Sequence, residues 1–215
     1  MSEICNEVHH LFNELERFRF PFDVDKIPSN GIYILFEVGE QAHGIDRIVR
    51  IGTHTGNNQL RSRLQQHVVK ENKDRSIFRK NIGRALLNRT KDPFMEQWEW
   101  DLTTRKAKET YRHLVDSSKQ NEVERQVSEY IQSQLSFVVF QVDEKTQRLP
   151  LESKIISTVS WCDDCRPSTS WLGLCSPKSK ILQSGLWLVN ELYKEPLSES
   201  ELSQLKGSAL RWKVG

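Results

Sequence analysis

Four side chains in this sequence have the types and spacing to act on a phosphate ester. Tyr33 lies in a β-rich run, Arg63 and His67 stand four residues apart in a helical stretch, and Glu152 falls inside the apolar arc of a later helix. A guanidinium can grip a phosphate through two parallel N–H donors. A histidine or a tyrosine can handle a proton near neutral pH. A carboxylate on an apolar face is costly unless it is paired or holds a cation. Beside a basic cleft, such a glutamate is the donor chemistry of a divalent metal on a phosphate substrate. Each residue also has an ordinary reading. Strand tyrosines are commonly half-buried, Arg/His pairs at i, i+4 commonly decorate surfaces, and buried acids are often held by structural arginines.

The elements that must position these groups can be read from periodicity. Residues 3–17 place Ile4, Val8, Leu11, Phe12 and Leu15 at helical spacing, so an amphipathic helix is expected. An irregular connector with Pro21 and Pro28 follows and ends in a turn at Asn30-Gly31. Ile32 to Val38 is a strand with Ile32, Ile34, Phe36 and Val38 on one face. Tyr33 projects from the other face, where its hydroxyl could reach solvent or substrate. Gly39 to Gly44 reads as a loop and Arg47 to Gly52 as a second, antiparallel strand. The helix from about Leu60 to Val69 buries Leu60, Leu64 and Val68 and carries Arg63 and His67 on one shoulder of that face. Ser76 to Leu87 is a further helix, with Arg75, Arg79, Lys80 and Arg84 expected to point outward. Residues 91–120 carry little pattern beyond a helix around Thr104 to Leu114. Asn121 to Leu135 is a clear helix. Ser136 to Val142 is the most apolar strand, which suggests a central place in a sheet. Pro150 fits the first position of the helix that carries Glu152.

The bulk numbers favour a polyanion partner. Net charge is only +2, but twelve Lys/Arg against Glu71 and Asp74 make the stretch from Arg47 to Lys91 +10, leaving −8 for the rest. A basic field of that kind supplies affinity for nucleic acid by counterion release. Hydrophobic residues make up 37% of the chain and mean hydropathy is −0.60, without any run of eighteen apolar residues to span a membrane. The acidic, amphipathic N-terminus does not fit a signal peptide, and four cysteines without one point to free thiols in a reducing, cytoplasmic setting. The tail holds Trp161, Trp171, Trp187 and Trp212, and Ser198 with Glu201 forms a capping box for a terminal helix. Cys162-x-x-Cys165 has only Cys175 near it and no histidine after it, so neither a zinc site nor a redox pair is read there. The tail is expected to pack around the core.

Four short motifs in order carry a family resemblance: Gly31-Ile32-Tyr33, Arg50-Ile51-Gly52, Leu60-Arg61-Ser62-Arg63, and Leu151-Glu152 with Ile155-Ile156. The stretch from about Asn30 to Trp171 resembles the GIY-YIG nuclease family. The resemblance implies an α+β fold, a three-stranded antiparallel sheet flanked by helices, with a helical insertion at about 70–134. Residues 1–29 would be an N-terminal helix and connector, 30–171 the nuclease domain, and 172–215 a helical extension packed on it. It also implies hydrolysis of phosphodiester bonds in DNA with one divalent metal, Mg2+ or Mn2+. By position, Tyr33 would stand near the attacking water, Arg63 would hold the scissile phosphate, and Glu152 would bind the metal. His67 would assist proton transfer, as in the restriction and homing branches. Arg50, Arg61, Arg75, Arg79, Lys80 and Arg84 are the expected nucleic-acid contacts, with a homodimer on DNA as one possible assembly. Two positions depart from the family pattern. Arg50 stands where the second motif has a tyrosine, and Ser168 to Ser170 occupy the region where an asparagine often follows the glutamate helix. A catalytically weakened nucleic-acid-binding protein of the same fold is therefore the alternative, and an interaction domain using the tryptophan-rich tail is a second.

Overall fold

Alternation along the first strand builds the molecule in two apolar layers. Ile32, Ile34 and Phe36 enter one buried cluster, while Tyr33 and Leu35 enter another on the opposite face of the sheet. The computed structural model describes residues 2–214, with side chains to 209, so Trp212 lies outside the described side chains. The sheet has order β2-β1-β3 and is antiparallel throughout. Its strands are β1 Ile32–Ala42, β2 Ile45–Gly52 and β3 Leu135–Phe140. The helices are α1 Ser2–Asn13, α2 Leu60–Val68, α3 Ile77–Thr90, α4 Met95–Glu99, α5 Arg105–Tyr111, α6 Ser117–Gln134, α7 Lys145–Ser160, α8 Ser179–Ser184 and α9 Glu199–Val214. This is the expected α+β architecture. Among the described residues no helix is long and apolar enough to cross a membrane.

Three expectations need correction. The loop expected at Gly39 to Gly44 is mostly strand. β1 runs on to Ala42 past an irregularity in the pairing, and His43 and Gly44, both at positive φ, make a two-residue turn. β3 lies at the sheet's edge and β1 is central. β3 is apolar on both faces because both are buried, Val138 and Phe140 in one cluster and Phe137 and Val139 in the other, and its outer edge is covered as well. Phe18 and Phe137 exchange backbone hydrogen bonds at 2.8 and 2.9 Å, and their rings stack. Finally, α7 begins at Lys145, ahead of Pro150, which lies inside the helix. Arg148 donates to the carbonyls of Val142 and Asp143, which ties the first turn to the end of β3.

The C-terminal segment packs against both layers. Leu186, Leu188, Leu197, Leu202 and Leu205 join the α1 side, and Trp171 and Trp187 join the other. Both indole N–H groups donate to Glu37, at 3.0 and 2.9 Å, and Tyr130 donates to the same carboxylate. The capping box forms as expected, with Ser198 N–H on the Glu201 carboxylate at 2.9 Å.

Candidate active site

Tyr33 is held by its own layer rather than by solvent. The side chain is 1% exposed, which corrects the expectation of an accessible hydroxyl. It pairs across the sheet with Gly52, and a Cβ at Gly52 would collide with the phenol ring and hydroxyl. The glycine of the second motif is thus required by the tyrosine of the first. The Tyr33 hydroxyl lies 2.9 Å from His67 Nε2 and accepts from Arg50 Nε at 3.4 Å.

His67 is fully enclosed. Its Nδ1 lies 2.7 Å from the Ser76 hydroxyl, which also caps α3 by accepting from Arg79 N–H. The ring meets Tyr33 and Phe78 edge-on. Burial holds the imidazole well below its ordinary pKa, and the charges of Arg50, Arg63 and Arg79 push it the same way. A neutral imidazole between two hydroxyls donates through one nitrogen and accepts through the other. His67 therefore meets no solvent of its own and is tied to Tyr33 on one side and Ser76 on the other.

That environment has a consequence for stability. The unfolded histidine binds a proton below about pH 6.5, and the folded one resists it. The neutral His67 thus contributes stability that is present above the unfolded pKa and is lost as pH falls below it. Thermal unfolding followed by circular dichroism should show a melting temperature that drops from pH 7 to pH 5. His67→Asn should flatten that slope, leaving the part due to His9, whose burial lowers its pKa to about 4. An unchanged slope in the variant would contradict the assignment.

Arg50 is buried and braced. Its guanidinium lies 4.8 Å from the centre of the Phe78 ring and donates to the Trp187 carbonyl. Trp187 N–H in turn donates to the Val49 carbonyl at 2.8 Å, so the C-terminal segment covers the free edge of β2 beside the site. That contribution from the tail was not read from sequence. Arg50 is too enclosed to grip DNA, but its charge reaches the site.

Glu152 and Arg63 border the accessible side. Thr53, His54, Thr55, Gln59, Ser62, Arg63 and Gln66 line a cleft of about 230 Å3. Arg63 is half-buried and donates at 3.3 Å to the Arg75 carbonyl and at 3.4 Å to Gln66. Glu152 is half-buried too, a correction to the wholly buried position its place in the apolar arc suggested. Burial pushes its pKa up to about 7, against the lowering effects of Arg50, the Thr53 N–H and Arg63, with Glu191 adding to the rise. The Glu152 carboxylate from α7 thus feels two guanidinium groups, Arg50 from β2 and Arg63 from α2, and of these Arg63 lines the cleft. Arg148, one turn before Glu152, is a further charge near it. Its Nε is the one buried side-chain nitrogen or oxygen without a hydrogen-bond partner among the described residues.

The expected basic face is largely internal. Six of its twelve cations, Arg47, Arg50, Lys73, Arg79, Lys80 and Arg84, are buried. Arg79 grips Glu124 on α6 through Nε and Nη2, at 3.0 and 2.9 Å. Arg84 grips Glu99 in the same way, and Lys80 donates to the Glu99 carbonyl at 2.7 Å. Arg47 pairs with Glu40. These groups neutralise acids from distant parts of the chain, so Arg79, Lys80 and Arg84 do not form the outward phosphate surface expected. Arg61 is turned to the connector, on the Ile27 carbonyl at 2.7 Å and on Asp25. Arg75 is exposed. Ser168, in the region where an asparagine often follows the glutamate helix, is bonded to Glu40 and Ser170.

A family model described as a GIY-YIG domain matches residues 3–212. The chain belongs to the GIY-YIG family. It is a nuclease of the GIY-YIG superfamily, whose members generally use a divalent metal. The match spans nearly the whole GIY-YIG chain, including the helices between α2 and β3 and the C-terminal segment. No curated protein and no solved structure matches it.

Proposed function

We propose that this GIY-YIG protein is a divalent-metal-dependent endonuclease that hydrolyses phosphodiester bonds in DNA. The observation that carries the reading is the electrostatic grouping of Glu152 with Arg50 and with Thr53 and Arg63, both of which line one accessible cleft. The donor set fits a hard cation. Glu152 offers carboxylate oxygen, and its raised pKa marks a charge that a cation would stabilise. When bound there, Mg2+ or Mn2+ would polarise the phosphoryl oxygens and stabilise the leaving oxygen. Arg63 then holds the phosphate and the charge that develops on it. Tyr33, enclosed and fixed by His67 and Arg50, is the residue that the family resemblance sets near the attacking water. The long run of helices between α2 and β3 in a domain that fills the matched residues supports a restriction or defence enzyme.

Arg50 also supports a second reading. A guanidinium cannot relay a proton as the family's second tyrosine could, which favours a protein that binds nucleic acid and cleaves it weakly or not at all. Supercoiled plasmid incubated with the wild-type protein separates the two. Nicked or linear product in Mg2+ or Mn2+, absent in EDTA, is expected. Retained plasmid binding without cleavage in either metal would favour the second reading.

A further inference from the structure

Three cysteines and a histidine that are far apart in sequence meet beside α1, well apart from the motifs of the nuclease site. Cys5 lies in α1, His43 in the β1–β2 turn, and Cys162 and Cys165 in the short 3-10 segment after α7. Cys5 Sγ is 3.5 Å from Cys165 Sγ. His43 Nε2 is 3.4 Å from Cys165 Sγ and 3.6 Å from Cys162 Sγ. Cys5 and Cys162 are close enough to shift each other's acidity, Cys5 upward and Cys162 down to about 5. Four donors around a tetrahedral zinc ion, at bond lengths of about 2.3 Å to sulfur and about 2.0 Å to nitrogen, stand roughly 3.5–3.8 Å from one another. The observed distances match that figure. They far exceed the roughly 2.05 Å of a disulfide, and all four cysteines are free.

His43 holds the first position of the tight turn at φ +54°, a conformation that histidine adopts more readily than most residues, and the turn brings its ring to the cysteines. His9 also lies within 4.8 Å of the Cys5, His43 and Cys165 donors. Its nitrogens are already engaged, Nδ1 with the Cys5 carbonyl at 2.9 Å and Nε2 with the Ile48 N–H at 3.2 Å. Cys162 is therefore the better fourth donor, and His9 braces the helix that carries Cys5.

We infer that Cys5, His43, Cys162 and Cys165 form a structural zinc site. Four protein donors close the coordination sphere and leave no open position for substrate, so the site is structural and not catalytic. It fastens the N-terminal helix and the tip of the β1–β2 hairpin to the C-terminal end of α7, the helix that carries Glu152. The family's catalytic metal is a different ion at a different place, held by oxygen.

Metal analysis of the full-length protein, purified without chelator, tests this. About one zinc per chain is expected in the wild type, in Glu152→Ala and in Cys175→Ser. Cys162→Ser with Cys165→Ser should lose it. Because that variant can fail to fold, the wild type loaded with Co2+ provides a second measurement. Tetrahedral d–d bands and an intense thiolate-to-cobalt charge-transfer band are expected. Wild-type protein with far less than one zinc per chain and no such band would overturn the site. So would a Cys5–Cys165 disulfide found by mass spectrometry, or zinc retained in the double variant.

Discussion

Glu152→Ala should abolish metal-dependent cleavage while leaving DNA affinity close to that of the wild type. The residue sits at the end of a chain of constraints. α7 presents it near Thr53 and Arg63, which line the cleft, and the Thr53 N–H, Arg50 and Arg63 all favour its charged form. Its pKa near 7 shows that the fold places the carboxylate where its charge is poorly solvated. Such a group gains most from an adjacent cation. A cation on the phosphate contributes several kcal/mol to the transition state, and each ~1.4 kcal/mol is about tenfold in rate. The expected loss is therefore about 10^3-fold or more under single-turnover conditions. Affinity measured by fluorescence anisotropy in Ca2+ should hardly change, because phosphate contacts elsewhere supply it. Equal loss of binding and cleavage would instead mean that Glu152 supports the fold.

Arg63→Ala is expected to slow cleavage by about 10^2–10^3-fold, the usual effect of removing one donor aimed at developing negative charge. Arg63 is well placed for this because it is neither locked in a buried ion pair nor loose in solvent. Its contacts are two long hydrogen bonds, to the Arg75 carbonyl and Gln66, which a phosphate could readily replace. By contrast, Arg79 is committed to Glu124 and Arg84 to Glu99. Arg63→Lys should recover only part of the rate, because lysine keeps the charge but loses the planar fork. Single-turnover rates for the three proteins at saturating DNA check this. Full activity in Arg63→Lys would show that charge alone suffices.

Much of the sheet was legible because alternation and turn chemistry are local signals. Ile32, Ile34 and Phe36 marked one face of β1 before any contact was known. The helix of Arg63 was equally plain from Leu60, Leu64 and Val68. What the sequence hid was pairing between distant residues. Arg79 and Arg84 looked like a solvated basic face because Glu124 and Glu99, which neutralise them, lie on other helices. β3 reads as central because helices and connecting segments bury both of its faces even at the edge of the sheet. The zinc donors were overlooked for the same reason. Cys162-x-x-Cys165 lacks a local partner pair, and its other donors, Cys5 and His43, come from the far end of the chain. Tyr33 stands on the expected face of its strand, but the helices between α2 and β3 and the C-terminal segment bury that face. Its role is therefore tied to His67 and Arg50 rather than to open solvent.

The central claim is that Tyr33 and Arg63 serve one reacting phosphate, and a double-mutant cycle tests it most directly. Single-turnover cleavage of a duplex in Mg2+ would be measured for wild type, Tyr33→Phe, Arg63→Lys and the double variant, with thermal melting to confirm that each is folded. Side chains that act on the same transition state are coupled, by about 0.5–3 kcal/mol for residues sharing partners. The double variant should therefore be faster than the product of the two single losses predicts. Losses that simply multiply, or a Tyr33→Phe protein as fast as wild type, would contradict the account.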